Sequence, residues 1–535
     1  MSETAMQIAN KFPNNSAFPP SQQVGAPDID GQLRQQRTYH RRILLRRTTG
    51  LWWPRIVLIA LGGLAAGITG QFMLSYPIFI LAPIFALVIL FLITRHVQLG
   101  LLLVAISSTA LFPQAFTVKA LSIYPAIPLL IWLFFVLSVQ AAFRLSRPVL
   151  PSFWAIWPLL GLLCLAILSN IMIQLTWTYG VAHKIGSSPI ILDEVYGIVL
   201  FLFPLLTVAA TTAALTNKDQ WIGYIQTAFL AIAAFLSLVV IIQFKRIGAS
   251  IYTFRFSDPK LGWMTLKAIS QLLALGVMIG YARLLYATRW RVRIVYGAAT
   301  LLCLLGVYFC LQNSWWLEVG IALIVMTFAY SRRIFVYLCL ACLPLLPLVK
   351  AEIDKLSTVK SADFYRFIIW QDALRVWSKS PLLGVGPGNF WAFDTRFTQL
   401  PLYLRDFSKT GLGVAHNGYL QILGELGLVG LLFYLGFLAV MIIMATRLFR
   451  RSNTPEKRGE RMLGLVGLGL VCGSALGDFT SGAMFLQPRQ IGSSGSLTQV
   501  LSTWIIYGCV MYKDQLWRMA RSAGGRGLKR SGKTL

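Results

Sequence analysis

The chain has 535 residues, 56% of them hydrophobic and 13% charged, with 48 Lys and Arg against 19 Asp and Glu for a net charge of +29. Its uncharged runs of about 20 residues in series are what the hydrocarbon core of a bilayer asks of a helix, which excludes a soluble enzyme. The fold class read from them is all-α, a polytopic transmembrane helical bundle of about 12–14 spans with one long extracytoplasmic loop carrying short amphipathic helices.

In chain order, residues 1–50 form a polar, basic segment rich in Pro, Asn, Gln and Ser, without the apolar core of a signal peptide, and are expected to be a disordered cytoplasmic tail. Residues 51–349 form an N-terminal transmembrane bundle, with apolar runs near 53–71, 74–94, 98–112, 123–143, 153–174, 195–214, 221–243, 263–286, 294–311, 315–331 and 334–349. Residues 350–415 form the long loop, expected to carry the chemistry. Residues 416–512 hold C-terminal spans near 416–446, 462–484 and 497–512, and 513–535 form a second basic cytoplasmic tail.

The positive charge lies beside the spans. Arg34, Arg37, Arg41, Arg42, Arg46 and Arg47 precede the first, and Lys513, Arg518, Arg521, Arg526, Lys529, Arg530 and Lys533 follow the last. That placement suits anionic membrane lipids and excludes nucleic acid as the partner. With the N-terminus inside, the short basic connections 95–96, 144–147, 217–220, 289–293, 332–333 and 447–461 all face the cytoplasm. Both termini then lie inside, and 175–194, 244–262 and 350–415 lie outside. All seven cysteines fall in apolar runs, so no disulfide framework is expected.

Within the long loop, Phe364, Phe367, Trp370, Leu374 and Trp377 make a helical apolar stripe that predicts an amphipathic helix lying on the bundle or at the headgroup level. The cluster Gly384-Val-Gly-Pro-Gly388 reads as a tight turn or as a backbone cradle for phosphate through Gly386 and Gly388; it lacks the spacing and lysine of a P-loop. His416 stands at the boundary between loop and span. An imidazole exchanges protons near neutral pH, so His416 is a candidate general base, the alternative being a polar cap with Asn417 and Tyr419 as interfacial neighbours. His183 is the one other histidine on the outer side, and two histidines without an outer cysteine do not make a zinc site. Arg366 and Arg255 run against the positive-inside trend and carry a planar fork suited to phosphate, or they pair with Asp363 and Asp258. Arg375 and Asp372 fit an i,i+3 pair. Glu318, Glu425 and Asp478 are intramembrane carboxylates, and Glu425 is expected to pack against another helix through a hydrogen bond. The Gly424, Gly427, Gly430 and Gly469, Gly473, Gly477 series read as close-packing faces.

An ordered set over about 65 residues carries a family resemblance: Arg366 with Trp370-Gln-Asp-Ala373, then Pro381-Leu-Leu-Gly-Val-Gly-Pro-Gly-Asn-Phe390, then His416-Asn-Gly-Tyr-Leu420 with Glu425-Leu-Gly427 and Gly430. It resembles the O-antigen ligase and O-antigen polymerase family of bacterial membrane glycosyltransferases. The resemblance implies metal-independent, inverting transfer of a glycan from an undecaprenyl-diphosphate donor to an acceptor glycan, lipid or protein, on the outer face of the bacterial inner membrane and without a cofactor. It implies His416 as base, with Arg366 and Arg255 on the diphosphate; Asn417, Tyr419, Gly386 and Gly388 are further candidate substrate contacts. The chain departs from the family's pattern at Asn313–Trp316 and at Pro259-Lys260, which leaves Lys260 or Lys245 as stand-ins for Arg255. A transporter or flippase for a lipid-linked precursor is the competing class, motivated by the intramembrane acids.

Overall fold

The computed structural model describes residues 78–109, 116–118, 121–123, 125–176, 190–247, 260–261, 264–265, 269–310, 313–345, 347, 362–390, 415–452, 454–479 and 496–531. By internal contacts the chain divides into residues 1–84 and 85–535. The described residues are all-α apart from two short antiparallel ribbons, β1 (Phe116–Val118) with β2 (Leu121–Ile123) and β3 (Lys260–Leu261) with β4 (Met264–Thr265).

Fourteen α-helices are described. They are α1 (Ile78–Arg95), α2 (Val97–Ser107), α3 (Ala126–Ala142), α4 (Phe153–Thr176), α5 (Ile190–Ala214), α6 (Gln220–Ile247), α7 (Ser270–Tyr286) and α8 (Trp290–Phe309). Then come α9 (Asn313–Tyr330), α10 (Arg332–Cys342), α11 (Ala362–Lys379), α12 (Gly418–Arg451), α13 (Arg458–Gly477) and α14 (Ser496–Ser531). Five of them, α4, α6, α8, α12 and α13, are long and apolar enough to cross a membrane; six shorter apolar stretches accompany them. The expected run at 53–71 lies outside the described residues. The run expected at 263–286 is helical only from Ser270, because Met264 and Thr265 are in extended pairing.

The long apolar helices carry apolar side chains on their outward faces too, as lipid requires. Outward rows such as Phe235, Leu238 and Ile242 on α6 remain exposed, while Phe229, Ala233, Leu236 and Val240 on the same helix are buried. Hydroxyls inside the bundle bond back to their own helix: Thr207 Oγ1 to the Phe203 carbonyl at 2.8 Å, Ser237 Oγ to Ala233 at 2.8 Å and Thr327 Oγ1 to Leu323 at 2.6 Å. No polar group is thereby presented to hydrocarbon at those positions. Small residues let the helix axes approach. A Cβ on Gly469 or Gly473 would run into Met326 or the Glu318 backbone, so the α13 glycine series seats α9 as the spacing predicted.

Candidate functional site

The site is built from α11, the turn 380–390 and the start of α12. Helix α11 packs against α12 through Ile369, Ala373 and Val376, buried at helical spacing. This is not the expected stripe. Phe367 and Leu374 of that stripe are 61% and 46% exposed, because the small Ala373 and branched Val376 fit the close approach to α12 better than large side chains do. Arg375 pairs with the buried Asp372 at 3.0 Å, the i,i+3 ion pair the spacing suggests. Position 366 lies on the same helical face as 369, 373 and 376, two turns from Ala373.

Beyond α11, the glycine cluster turns with φ of +69° at Gly384, +83° at Gly386 and +83° at Gly388. It docks on a break in α12, where Gly427 leaves helical geometry at φ 68°, ψ −169°. The break frees carbonyls before it and amides after it, and the turn takes up both sets. Val385 N donates to the Gly424 carbonyl at 2.9 Å and Gly386 N to that of Glu425 at 2.9 Å. Leu428 N donates to the Pro381 carbonyl at 2.8 Å and Val429 N to that of Leu382 at 3.4 Å. The Glu425 carboxylate accepts from the Gln421 amide at 2.5 Å and from the backbone N–H groups of Gly388 and Phe390. Irregular backbone at membrane depth is tolerated when another part of the protein completes it, and residues 381–390 do so here.

Three readings change as a result. The Gly386 and Gly388 amides are engaged with Glu425, so they hold the broken helix instead of offering a phosphate cradle. Glu425 binds the preceding turn and its own helix, not a neighbouring helix. Gly427 is the break itself, and the close packing its lack of a Cβ permits is against the backbone of Leu382 and Leu383 in the turn.

His416 sits just above this splice with φ +47°, a left-handed conformation rare for a residue with a side chain. Holding it there costs roughly 1–3 kcal/mol. Four ties enforce it. Asn417 caps α12, its Oδ1 accepting from Tyr419 N at 3.0 Å and Leu420 N at 3.1 Å. Ala415 N donates to Gln421 Oε1 at 2.8 Å, and Gly418 N donates to the Asp478 carbonyl at 2.6 Å. The Tyr419 hydroxyl, 2.5 Å from the Ala475 carbonyl, anchors the turn to α13. Asn417 Oδ1 and the Tyr419 hydroxyl thus help to aim the turn.

Ala415 packs with Ala373, Val376, Val385 and Phe390, and Leu420 covers the group. This cluster brings the His416 turn, the glycine cluster and the face of α11 that includes position 366 to one place. Asn389 lies within it, buried, and its Nδ2 finds no partner among the described residues. Beneath the turn is a polar floor. The Tyr434 hydroxyl bonds Asp478 Oδ2, and Ser474 Oγ donates to Glu318 Oε1 at 3.1 Å. Glu318 interacts electrostatically with Asp478. Arg255, Lys245's neighbours beyond Ile247 and His183 lie outside the described residues, and the backbone of Lys260 opens β3.

The family model described as O-Antigen ligase matches residues 261–435. Residues 261–435, about a third of the chain, are thus similar to the O-antigen ligase family. They take in α7 to α11, the glycine turn, His416 and the break in α12, whereas Arg255 and Lys260 fall before the first of them. The match supports an O-antigen ligase-like membrane glycosyltransferase in general. The comparison with curated proteins found no match. Among the matched residues, Gln421 and Asn389 are those that sequence reasoning missed. The i,i+4 spacing of Gln421 and Glu425 was the available signal for the first.

Proposed function

We propose that the protein transfers or polymerises a glycan from an undecaprenyl-diphosphate-linked donor, with inversion and without a metal, at the outer face of the bacterial inner membrane. His416 takes the proton from an acceptor hydroxyl as that oxygen attacks the anomeric carbon. The bond from this carbon to the diphosphate breaks, and the departing undecaprenyl diphosphate carries its charge to Arg366, with Arg255 or Lys260 as a second cation. The observation that carries the reading is the enforced left-handed His416 beside a cluster that shares its face with position 366. A side chain held at a cost in strain, at the mouth of a transmembrane helix, is what a positioned base requires.

The test is glycan transfer in vesicles supplied with lipid-diphosphate oligosaccharide. His416→Ala and Arg366→Ala each lose most product at unchanged protein level, and EDTA leaves the wild type active. A product ladder marks a polymerase and a single product a ligase. Loss of activity in EDTA that a divalent ion restores overturns the mechanism. The transporter reading predicts the reverse ranking, with Glu425→Gln abolishing function and His416→Ala tolerated.

A further inference from the structure

At the end of α12 opposite His416, four arginines gather around two tryptophans. Arg447 and Arg451 lie one turn apart at the end of α12, and Arg518 and Arg521 lie on α14. The guanidinium carbons of Arg518 and Arg447 are 4.2 and 5.5 Å from the centre of the Trp154 ring. Those of Arg451 and Arg521 are 3.4 and 5.4 Å from the Trp517 ring. Arg451 is within electrostatic range of the other three. Among the described residues, the carboxylate that meets this group is Asp514, which is buried and bonds Arg451 at 3.4 Å and Arg518 at 2.7 Å. Four cations and one carboxylate leave three positive charges in excess.

The carbonyl end of α12 accounts for part of that excess, at Arg447 and Arg451. It does not account for Arg518 and Arg521, which lie in the interior of α14. A tryptophan face holds a guanidinium by its plane and leaves the in-plane N–H fork open for a planar or tetrahedral anion. The depth of the group fits such an anion in a membrane. Trp154 is the second residue of one membrane-crossing helix and Arg451 the last of another, so both stand at headgroup level. Beside them Phe153 and Trp157 are exposed along α4, an apolar path leading from the charges into the hydrocarbon.

We infer that Arg447, Arg451, Arg518 and Arg521 form a binding site for the phosphate of an anionic phospholipid, whose acyl chains lie along the exposed face of α4. The site is independent of glycan transfer. Continuity between the charge cluster and the exposed apolar face selects a lipid over a soluble phosphate.

Full-length protein is reconstituted in nanodiscs of phosphatidylcholine with added phosphatidylglycerol, and retained lipid is counted by native mass spectrometry. The Arg447→Gln/Arg521→Gln variant removes two cations that share no carboxylate among the described residues. It should retain phosphatidylglycerol about thirtyfold more weakly, at roughly 1 kcal/mol per basic residue. Arg289→Gln/Arg291→Gln, a charge-matched pair elsewhere, should retain it as the wild type does. Equal retention by the first variant, or equal loss by the second, overturns the site. Displacement by inorganic phosphate as effective as by phosphatidylglycerol overturns the lipid assignment. Should the double variant fail to fold, Arg521→Gln alone should retain phosphatidylglycerol about fivefold more weakly, and unweakened retention by it overturns the proposal equally.

Discussion

Gly427→Ala tests whether the break in α12 is a built part of the site or a tolerated irregularity. At φ 68°, ψ −169° the backbone is in a region that glycine alone occupies readily, so an alanine there is strained by about 1–3 kcal/mol. Its Cβ would also overlap the Leu382 carbonyl, so the turn 381–386 must move away. Four inter-segment hydrogen bonds depend on that contact, each contributing about 1 kcal/mol net. Losing half of them together with the strain gives a destabilisation of about 3–5 kcal/mol. Thermal unfolding in micelles reads the stability, and hydrogen exchange at the Val385 and Gly386 amides reads the docking of the turn. Both should fall together, and transfer activity with them. Gly436→Ala is the internal control. It sits further along α12, where an added Cβ meets nothing within 4 Å among the described residues, and should be neutral or stabilising by about 0.5–1 kcal/mol. A Gly427→Ala protein as stable as the wild type, with Val385 and Gly386 still protected, refutes the reasoning.

Two further outcomes follow from the same geometry. Asn417→Ala removes the cap of α12 and should cost about 1 kcal/mol of stability, with a larger loss of transfer because His416 is no longer aimed; Asn417→Ser, which can also cap, should recover most of both in the same unfolding and vesicle assays. Asn389→Leu replaces a buried amide whose Nδ2 is unpartnered among the described residues by an apolar side chain of the same branching but larger volume, so the relief of the unpaired donor and the added bulk offset each other and stability should change by no more than about 1 kcal/mol. If that amide serves a sugar or phosphate oxygen, transfer falls at least tenfold at the same protein level; unchanged transfer removes Asn389 from the site.

Hydropathy made the helices legible, because an uncharged run long enough for a bilayer has few other fates. The ends of the spans were less so. The run at 263–286 is mostly apolar, and the one charge near its start, Lys267, lies between the extended Met264-Thr265 and the helix from Ser270 without marking on its own where the helix begins. The ordered residues from Arg366 to Gly430 marked the site, yet the work of several was misread for one reason. Spacing along a chain shows which residues share a face but not which backbone groups lack partners. Gly386, Gly388 and Glu425 became intelligible only once the break at Gly427 exposed carbonyls and amides to be met. Phe367 and Leu374 are a different case. Their stripe left two placements open, on the bundle or at the headgroup level, and their exposure fits the second.

The repair of α12 by residues 381–390 also bears on how such proteins can be recombined. A span grafted without its turn would carry stranded carbonyls at 424 and 425 and stranded amides at 428 and 429, a penalty of several kcal/mol in hydrocarbon. It would then straighten and carry the histidine to a different height. Turn and span are in this sense one inherited part, some forty residues apart in sequence. A chimera that exchanges the two together should keep its histidine in place, and one that exchanges either alone should not.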